Sequence, residues 1–131
     1  MTPPTFLTVE DVLLIHSYQI EHFGGDPAVL DRGLLESAVA QPQQAFAGEY
    51  LHSDLAAMAA AYLFHLVKNH AFADGNKRTG AQAAMVFLEL NGYAPDYPVD
   101  ETEQLVLGVA EGRVEKEEVA AFVRGLMRSE S

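Results

Sequence analysis

The residues best able to do chemistry stand together between His70 and Gly80, in the stretch H-A-F-A-D-G-N-K-R-T-G. His70 is an imidazole that can take a proton from a hydroxyl group. Asp74 is a carboxylate that can either hold Mg²⁺ or cap the following helix. Lys77 and Arg78 open that helix, where positive charge is unfavourable unless an anion lies between the cations and the helix. The pattern therefore predicts an anion site, and phosphate is an anion that helix N-termini commonly bind.

The other residues of this loop predict how the anion is held. Gly75 permits a backbone turn closed to other residues and lets main-chain N–H groups approach a phosphate. Asn76 can offer an amide to an oxygen, and with the two cations it forms a nest of donors suited to a phosphoryl group in transfer. Phe72 is expected only to pack the loop against the core. An ordinary capped turn would also explain Gly75 and Asn76, but it leaves the cations unexplained. These residues support transfer of a phosphate-bearing group to a hydroxyl, without indicating which phosphate.

Two apolar segments must position the loop, 55–64 before it and 81–90 after it. Ser53 or Asp54 is expected to cap the first of these helices, which ends near Asn69. Because that helix is apolar on every face, it should be buried on all sides. The second helix is predicted from Lys77 to Asn91.

Four further helices are predicted from cap and stop signals. The first begins at a Thr8–Asp11 cap and ends at the glycine pair 24–25, and a short second helix runs from Asp31 to Pro42. The fifth extends over 100–112, and the last over 114 or 115 to 127. No convincing strand pair is evident, so the fold class is all-α, a single-domain bundle of about six helices over 1–131 with short flexible ends at 1–6 and 129–131.

The remaining candidates for function are a segment and three histidines. The irregular segment 41–52 is either a plain connector or a flap beside the loop where a protein target could dock. His16 and His22 are expected at the surface or its boundary, and His65 is expected to be structural.

Composition excludes several classes of function. The chain has 131 residues, no cysteine and a formal net charge of −11. Such an acidic chain is a poor general ligand for DNA or RNA, and its small positive spot suits a phosphorylated small molecule better. The N-terminus lacks the basic start and apolar run of a signal peptide, and the longest apolar run is too short to cross a bilayer. We therefore expect a soluble, cytoplasmic protein that binds no membrane.

The loop H-A-F-A-D-G-N-K-R resembles the signature of the Fic/Doc family, H-x-F-x-[DE/N]-G-N-[GK]-R. The stretches L-T-V-E-D-V-L-L-I-H, F-G-G-D-P, D-R-G-L-L-E-S-A-V-A-Q-P and F-L-E-L-N-G-Y are similar to the Doc (death-on-curing) branch, so the resemblance covers about 7–127. It implies a Fic fold with the loop between the two central helices. It also implies His70 as catalytic base, Asp74 as metal ligand, and four residues around the nucleotide phosphates: Gly75, Asn76, Lys77 and Arg78.

The resemblance further implies which group is transferred. Lys77 is similar to Doc, whereas the AMP-transferring Fic branch usually has glycine there, and Ala81 stands where Fic enzymes carry a second arginine. Doc holds its nucleotide reversed, so the implied activity is a toxin kinase using ATP and Mg²⁺. Its implied target is the translation factor EF-Tu, and its implied partner is a small Phd-like antitoxin. A Fic-type AMP transferase and a catalytically silent binding module of the same fold remain the alternatives.

Overall fold

The computed structural model describes residues 3–130, with only the backbone described for the last two of these. This part of the chain forms six α-helices, which confirms the predicted all-α class. They are α1 (Val9–Phe23), α2 (Arg32–Ala40), α3 (Leu55–Asn69), α4 (Asn76–Leu90), α5 (Val99–Ala110) and α6 (Lys116–Glu130).

Local cap chemistry places the starts of three helices where the sequence predicts them. The Thr8 hydroxyl accepts from the Asp11 N–H, and the Asp11 carboxylate accepts from the Thr8 N–H, so α1 begins with a complete capping box. Asp31 caps α2 and Asp54 caps α3, each by accepting a backbone N–H in the first turn. Gly24 ends α1 with a left-handed φ of 82°.

Helix α3 lies at the centre of the fold, and its most extensive contacts are with α4 and α6. Nine of its side chains, from Ala56 to Val67, are buried, as expected for a helix that is apolar on every face. Gly80 of α4 sits directly against α3, because an added Cβ would lie 2.9 Å from a methyl of Val67 and 3.1 Å from the Leu63 carbonyl oxygen. The two helices that flank the loop are thus packed at close range.

The segment 41–52 contains the strand pair that the sequence did not indicate, so the expectation of no strands is wrong. After a 3₁₀ turn (Gln41–Gln43), strands β1 (Ala45–Phe46) and β2 (Glu49–Tyr50) pair antiparallel. Ala47 and Gly48 both have positive φ, the geometry of a tight hairpin turn. Strands of two residues are too short to show alternation, which explains why the pattern was not visible.

The chain before α1 is held against the core. Thr5 and Asn91 exchange two hydrogen bonds, of 2.8 and 2.9 Å, and the Leu7 N–H donates to the Tyr62 hydroxyl. The predicted flexible ends stay a prediction, and residues 1, 2 and 131 lie outside the described part. Within 3–130, no helix has both the length and the apolar character that a bilayer crossing requires.

Candidate phosphate-binding site

The loop between α3 and α4 is held in place by its own backbone. The Leu30 N–H donates to the Ala71 carbonyl at 2.8 Å, and the Ala73 N–H donates to the Ala28 carbonyl at 3.0 Å. These bonds align the loop with residues 28–31 like a short strand. Phe72 lies between them with 1% of its surface exposed, the position expected of an anchor.

Asn76 closes the loop from within. Its side-chain oxygen accepts the Phe72 N–H at 3.1 Å, and its amide nitrogen donates to the Phe72 carbonyl at 2.8 Å. The side chain is buried, and both ends of its amide are used inside the loop. The group that Asn76 can offer to an anion is therefore its backbone N–H at the start of α4.

The N-terminus of α4 has no side-chain cap. Gly75 occupies the cap position with a left-handed φ of 83°, and the first intrahelical bond runs from the Thr79 N–H to the Gly75 carbonyl at 2.9 Å. Lys77 and Arg78 are exposed on this first turn. In the described part of the chain, neither forms an ion pair with a carboxylate. This helix end therefore combines N–H donors with two uncompensated cations, which favours an anion.

A cavity of about 780 Å³ opens beside this helix end. Its walls come from three helices and the loop. The loop and α4 contribute Asp74, Gly75, Asn76, Lys77, Arg78 and Ala81; α1 contributes Tyr18 and Phe23; and Glu103, Gln104 and Leu107 of α5 face them, with Tyr97 just before α5. The volume is in the range of small-molecule binding sites.

Arg78 is held at the cavity by an aromatic ring. Its guanidinium carbon lies 4.4 Å from the centroid of Phe23, the last residue of α1, within the range of a cation–π interaction. Phe23 itself is 59% exposed, so its ring covers the guanidinium rather than the core.

Asp74 is exposed and lines the cavity. One of its oxygens accepts the Asp26 N–H at 2.7 Å, and no side chain caps α4, so the capping alternative for Asp74 is not what the structure shows. A single carboxylate beside a phosphate site fits Mg²⁺, which proteins commonly hold by one or two carboxylates together with substrate phosphates.

His70 stands at the edge of this site rather than in its wall. It ends α3 with a left-handed backbone, φ 49° and ψ 50°, and its side chain is exposed. Its Nδ1 lies 3.3 Å from the Asn76 amide nitrogen. Because an amide nitrogen only donates, Nδ1 is the acceptor, and it is the ring nitrogen able to take a proton. At 3.3 Å the contact is long, so a hydroxyl approaching Nδ1 would replace a weak bond.

Comparison with known proteins matches the part of the chain that contains the loop. The sequence pattern of the family described as Fic/DOC matches residues 6–88. The chain belongs to the Fic/DOC family. It is 43% identical over 122 residues to "Toxin Doc" of Mycolicibacterium smegmatis, covering 92% of each chain. It is 32% identical over 123 residues to "Protein kinase doc" of Escherichia phage P1, covering 94% of this chain and 96% of the relative.

The Fic/DOC match contains the loop and the cavity residues of α1 and α4, but it ends before α5. The α5 wall of the cavity, with Glu103, Gln104 and Leu107, was not foreseen in the sequence. No sequence motif around those residues could have indicated a site, because only the packing of α5 brings them to the same cavity as Lys77 and Arg78.

His16 is the residue of this Fic/DOC site that sequence reasoning misplaced. The expectation of a surface or boundary position is wrong, because its side chain is 3% exposed and contacts the loop. The apolar face of α1 could have indicated burial, since His16 follows Val12 by one helical turn. His22 is exposed, as predicted.

Proposed function

We propose that this protein is a Doc-type toxin kinase that transfers the γ-phosphate of ATP to a hydroxyl group of a protein target. The observation that carries the proposal is the uncapped N-terminus of α4 beside a nucleotide-sized cavity, where neither Lys77 nor Arg78 forms an ion pair with a described carboxylate. The exposed imidazole of His70 is linked to the start of α4 by a 3.3 Å contact between its Nδ1 and the amide nitrogen of Asn76. The two relatives, named as a toxin and as a protein kinase, support the same activity.

In the proposed reaction, the hydroxyl oxygen of the target attacks the γ-phosphorus. The bond from that phosphorus to the bridging oxygen breaks, and ADP leaves with the bridging oxygen and its electron pair. The hydroxyl proton passes to Nδ1 of His70. Lys77, Arg78 and the first N–H groups of α4 stabilise the negative charge on the transferring phosphoryl group.

Asp74 is the residue proposed to hold Mg²⁺. Its carboxylate lies in the cavity wall, and the bond from the Asp26 N–H fixes one oxygen and leaves the other to face a ligand. When bound, Mg²⁺ would neutralise charge on the nucleotide phosphates.

Lys77 and Ala81 favour phosphate transfer over AMP transfer. A long cation at position 77 crowds the site that glycine leaves open in AMP-transferring enzymes, and it attracts the more highly charged end of the nucleotide. Ala81 removes a second cation from the same cavity wall.

The proposed setting is a toxin–antitoxin pair in the cytoplasm. A toxin of this family requires a partner that restrains it, for which we propose a small Phd-like antitoxin. The proposed target is the translation factor EF-Tu, on the strength of the family resemblance alone.

A double-label experiment tests the proposal. The protein is incubated with cell extract and either γ-labelled or α-labelled ATP, and labelled proteins are resolved by size. We expect γ-label on a protein band and no α-label. His70→Ala should abolish the labelling and relieve growth arrest on expression, whereas His22→Ala, at an exposed histidine of α1, should change neither.

Two other outcomes would contradict the kinase. Transfer of α-label would identify an AMP transferase. Binding of ATP without label on any protein would identify a silent binding module.

A further inference from the structure

His16 is a buried histidine that the proposed chemistry does not use, although it contacts the reactive loop from α1. Its Nε2 lies 2.8 Å from the carbonyl oxygen of Asp74, 58 residues further along the chain. A carbonyl oxygen only accepts, so Nε2 carries the proton and donates it. The side chain is 3% exposed, so water does not compete freely for this bond.

This bond fixes the orientation of one peptide group. The Asp74–Gly75 peptide is trans, as all peptide bonds of the described chain are, so its C=O and N–H point in opposite directions. Holding the oxygen toward His16 turns the Gly75 N–H away from α1. The same bond fixes the backbone on which the Asp74 carboxylate is mounted.

The imidazole ring also fixes the loop on either side of that peptide. It stacks on Phe72 with ring centroids 3.7 Å apart and planes 8° from parallel. A Cβ added at Gly75 would lie 3.5 Å from the ring, so the left-handed backbone of Gly75 packs directly beside His16. One side chain thus contacts the loop at its anchor, its carboxylate residue and its glycine.

We propose that His16 is a positioning residue for nucleotide binding. By holding the Asp74–Gly75 peptide, it presents the carboxylate and the first N–H groups of α4 in the arrangement that binds the metal and phosphates. This inference rests on the proposed function, because it assigns His16 to the same site.

Two variants separate the hydrogen bond from the ring. H16F keeps an aromatic ring against Phe72 but has no donor for the Asp74 carbonyl, whereas H16Q keeps an N–H donor without the ring. Calorimetric titration with MgATP should show about tenfold weaker binding for H16F, the factor expected from one buried hydrogen bond, and about threefold or less for H16Q. H22Q, on the exposed side of α1, should bind like the native protein.

Further readouts distinguish positioning from simple structural support. Deuterium exchange of the Gly75 amide should quicken in H16F and stay near its native rate in H16Q. H70A should lose phosphate transfer yet keep its affinity for MgATP, whereas H16F should lose affinity at a temperature where thermal unfolding shows that it is folded.

The inference fails if folded H16F binds MgATP within twofold of the native protein and the Gly75 amide exchanges at its native rate. Should H16F not fold, H16N decides, because its shorter amide cannot reach the Asp74 carbonyl. Equal affinities of H16N and H16Q would overturn the proposal. A native protein that binds MgATP but phosphorylates nothing contradicts the kinase and leaves this inference standing, whereas one without affinity for MgATP overturns both.

Discussion

At the scale of single residues, the loop depends on side chains that bind its own backbone. The Asn76 amide bridges the N–H and the carbonyl of Phe72, and the His16 Nε2 donates to the Asp74 carbonyl. Lys77 and Arg78 have the opposite character, because they are exposed and add charge rather than shape. Substitutions should therefore fall into two classes, those that loosen the loop and those that change what it binds.

Asn76→Ala should loosen the loop. It leaves the N–H and carbonyl of buried Phe72 without their partner, which should lower the free energy of unfolding by about 2 kcal/mol. Chemical denaturation measures this loss. Asn69→Ala is the matched control, since Asn69 makes one hydrogen bond at the surface, to the Leu34 carbonyl, and should cost less than about 1 kcal/mol. Equal losses would contradict the bridging role.

Lys77→Gly should change the chemistry. Removing the cation opens the space that AMP-transferring enzymes leave free, so α-label from ATP should begin to reach the target while γ-label falls. The same labelled bands from the double-label assay measure it. Lys68→Ala is the control, because Lys68 is a lysine of α3 that lies outside the cavity wall. Unchanged γ-transfer in Lys77→Gly would show that Lys77 does not select the phosphate.

Phe23→Leu should weaken nucleotide binding without affecting stability. Leucine keeps the apolar bulk but lacks the ring face that holds the Arg78 guanidinium, and an exposed cation–π contact is worth a factor of about two to five. The Michaelis constant for ATP should rise by that factor. Phe23→Trp should keep the Michaelis constant near its native value. A raised constant in this variant would show that the aromatic ring at position 23 does not aid ATP binding.

At the scale of elements, α3 and α4 fix the loop because they approach each other closely. Gly80→Ala should force them apart and lower stability by about 1–3 kcal/mol, since its Cβ would lie 2.9 Å from Val67. Gly125→Ala in α6 is the control, because a Cβ there meets nothing within 4 Å and alanine favours a helix by about 1 kcal/mol. Opposite signs in thermal unfolding are expected, and equal signs would contradict the close approach.

The contact of α3 with α6 should make the fold sensitive to acid. Burial, followed by the charges of Lys116 and His52, lowers the pKa of His65 to about 4, and the Lys116 ammonium donates to its Nε2 at 3.2 Å. Between pH 6.5 and 4 the unfolded chain binds more protons than the folded one, so stability falls as pH falls. Chemical denaturation at pH 7.5 and at pH 5 should show this loss of stability, and His65→Gln should reduce it.

The helices and the hairpin also show which features of the fold and the site could be predicted from the sequence. The caps at Thr8, Asp31 and Asp54 and the loop residues were predicted because their signals lie within a few positions of each other. The burial of His16 and the α5 wall of the cavity were not, because both depend on which helix packs against which. The Ala47–Gly48 hairpin was missed because its strands are two residues long.

At the scale of the whole molecule, one positive site lies on a strongly acidic body. With a net charge of −11, the protein should not bind DNA by itself at physiological salt, because affinity for a duplex comes mainly from neutralising its phosphates. Fluorescence anisotropy with a labelled duplex measures this. Submicromolar binding by the isolated protein would contradict the conclusion that its net charge prevents DNA binding. Binding that needs an added partner would not contradict it.

The pairing of the loop with residues 28–31 has a practical consequence. Main-chain bonds at Ala71 and Ala73, together with the internal bridge of Asn76, hold the loop that forms one wall of the cavity without help from a substrate. Compact anionic compounds can therefore be docked at the start of α4 against a loop whose backbone is already bonded in place, and the best of them should bind the isolated protein without any lag.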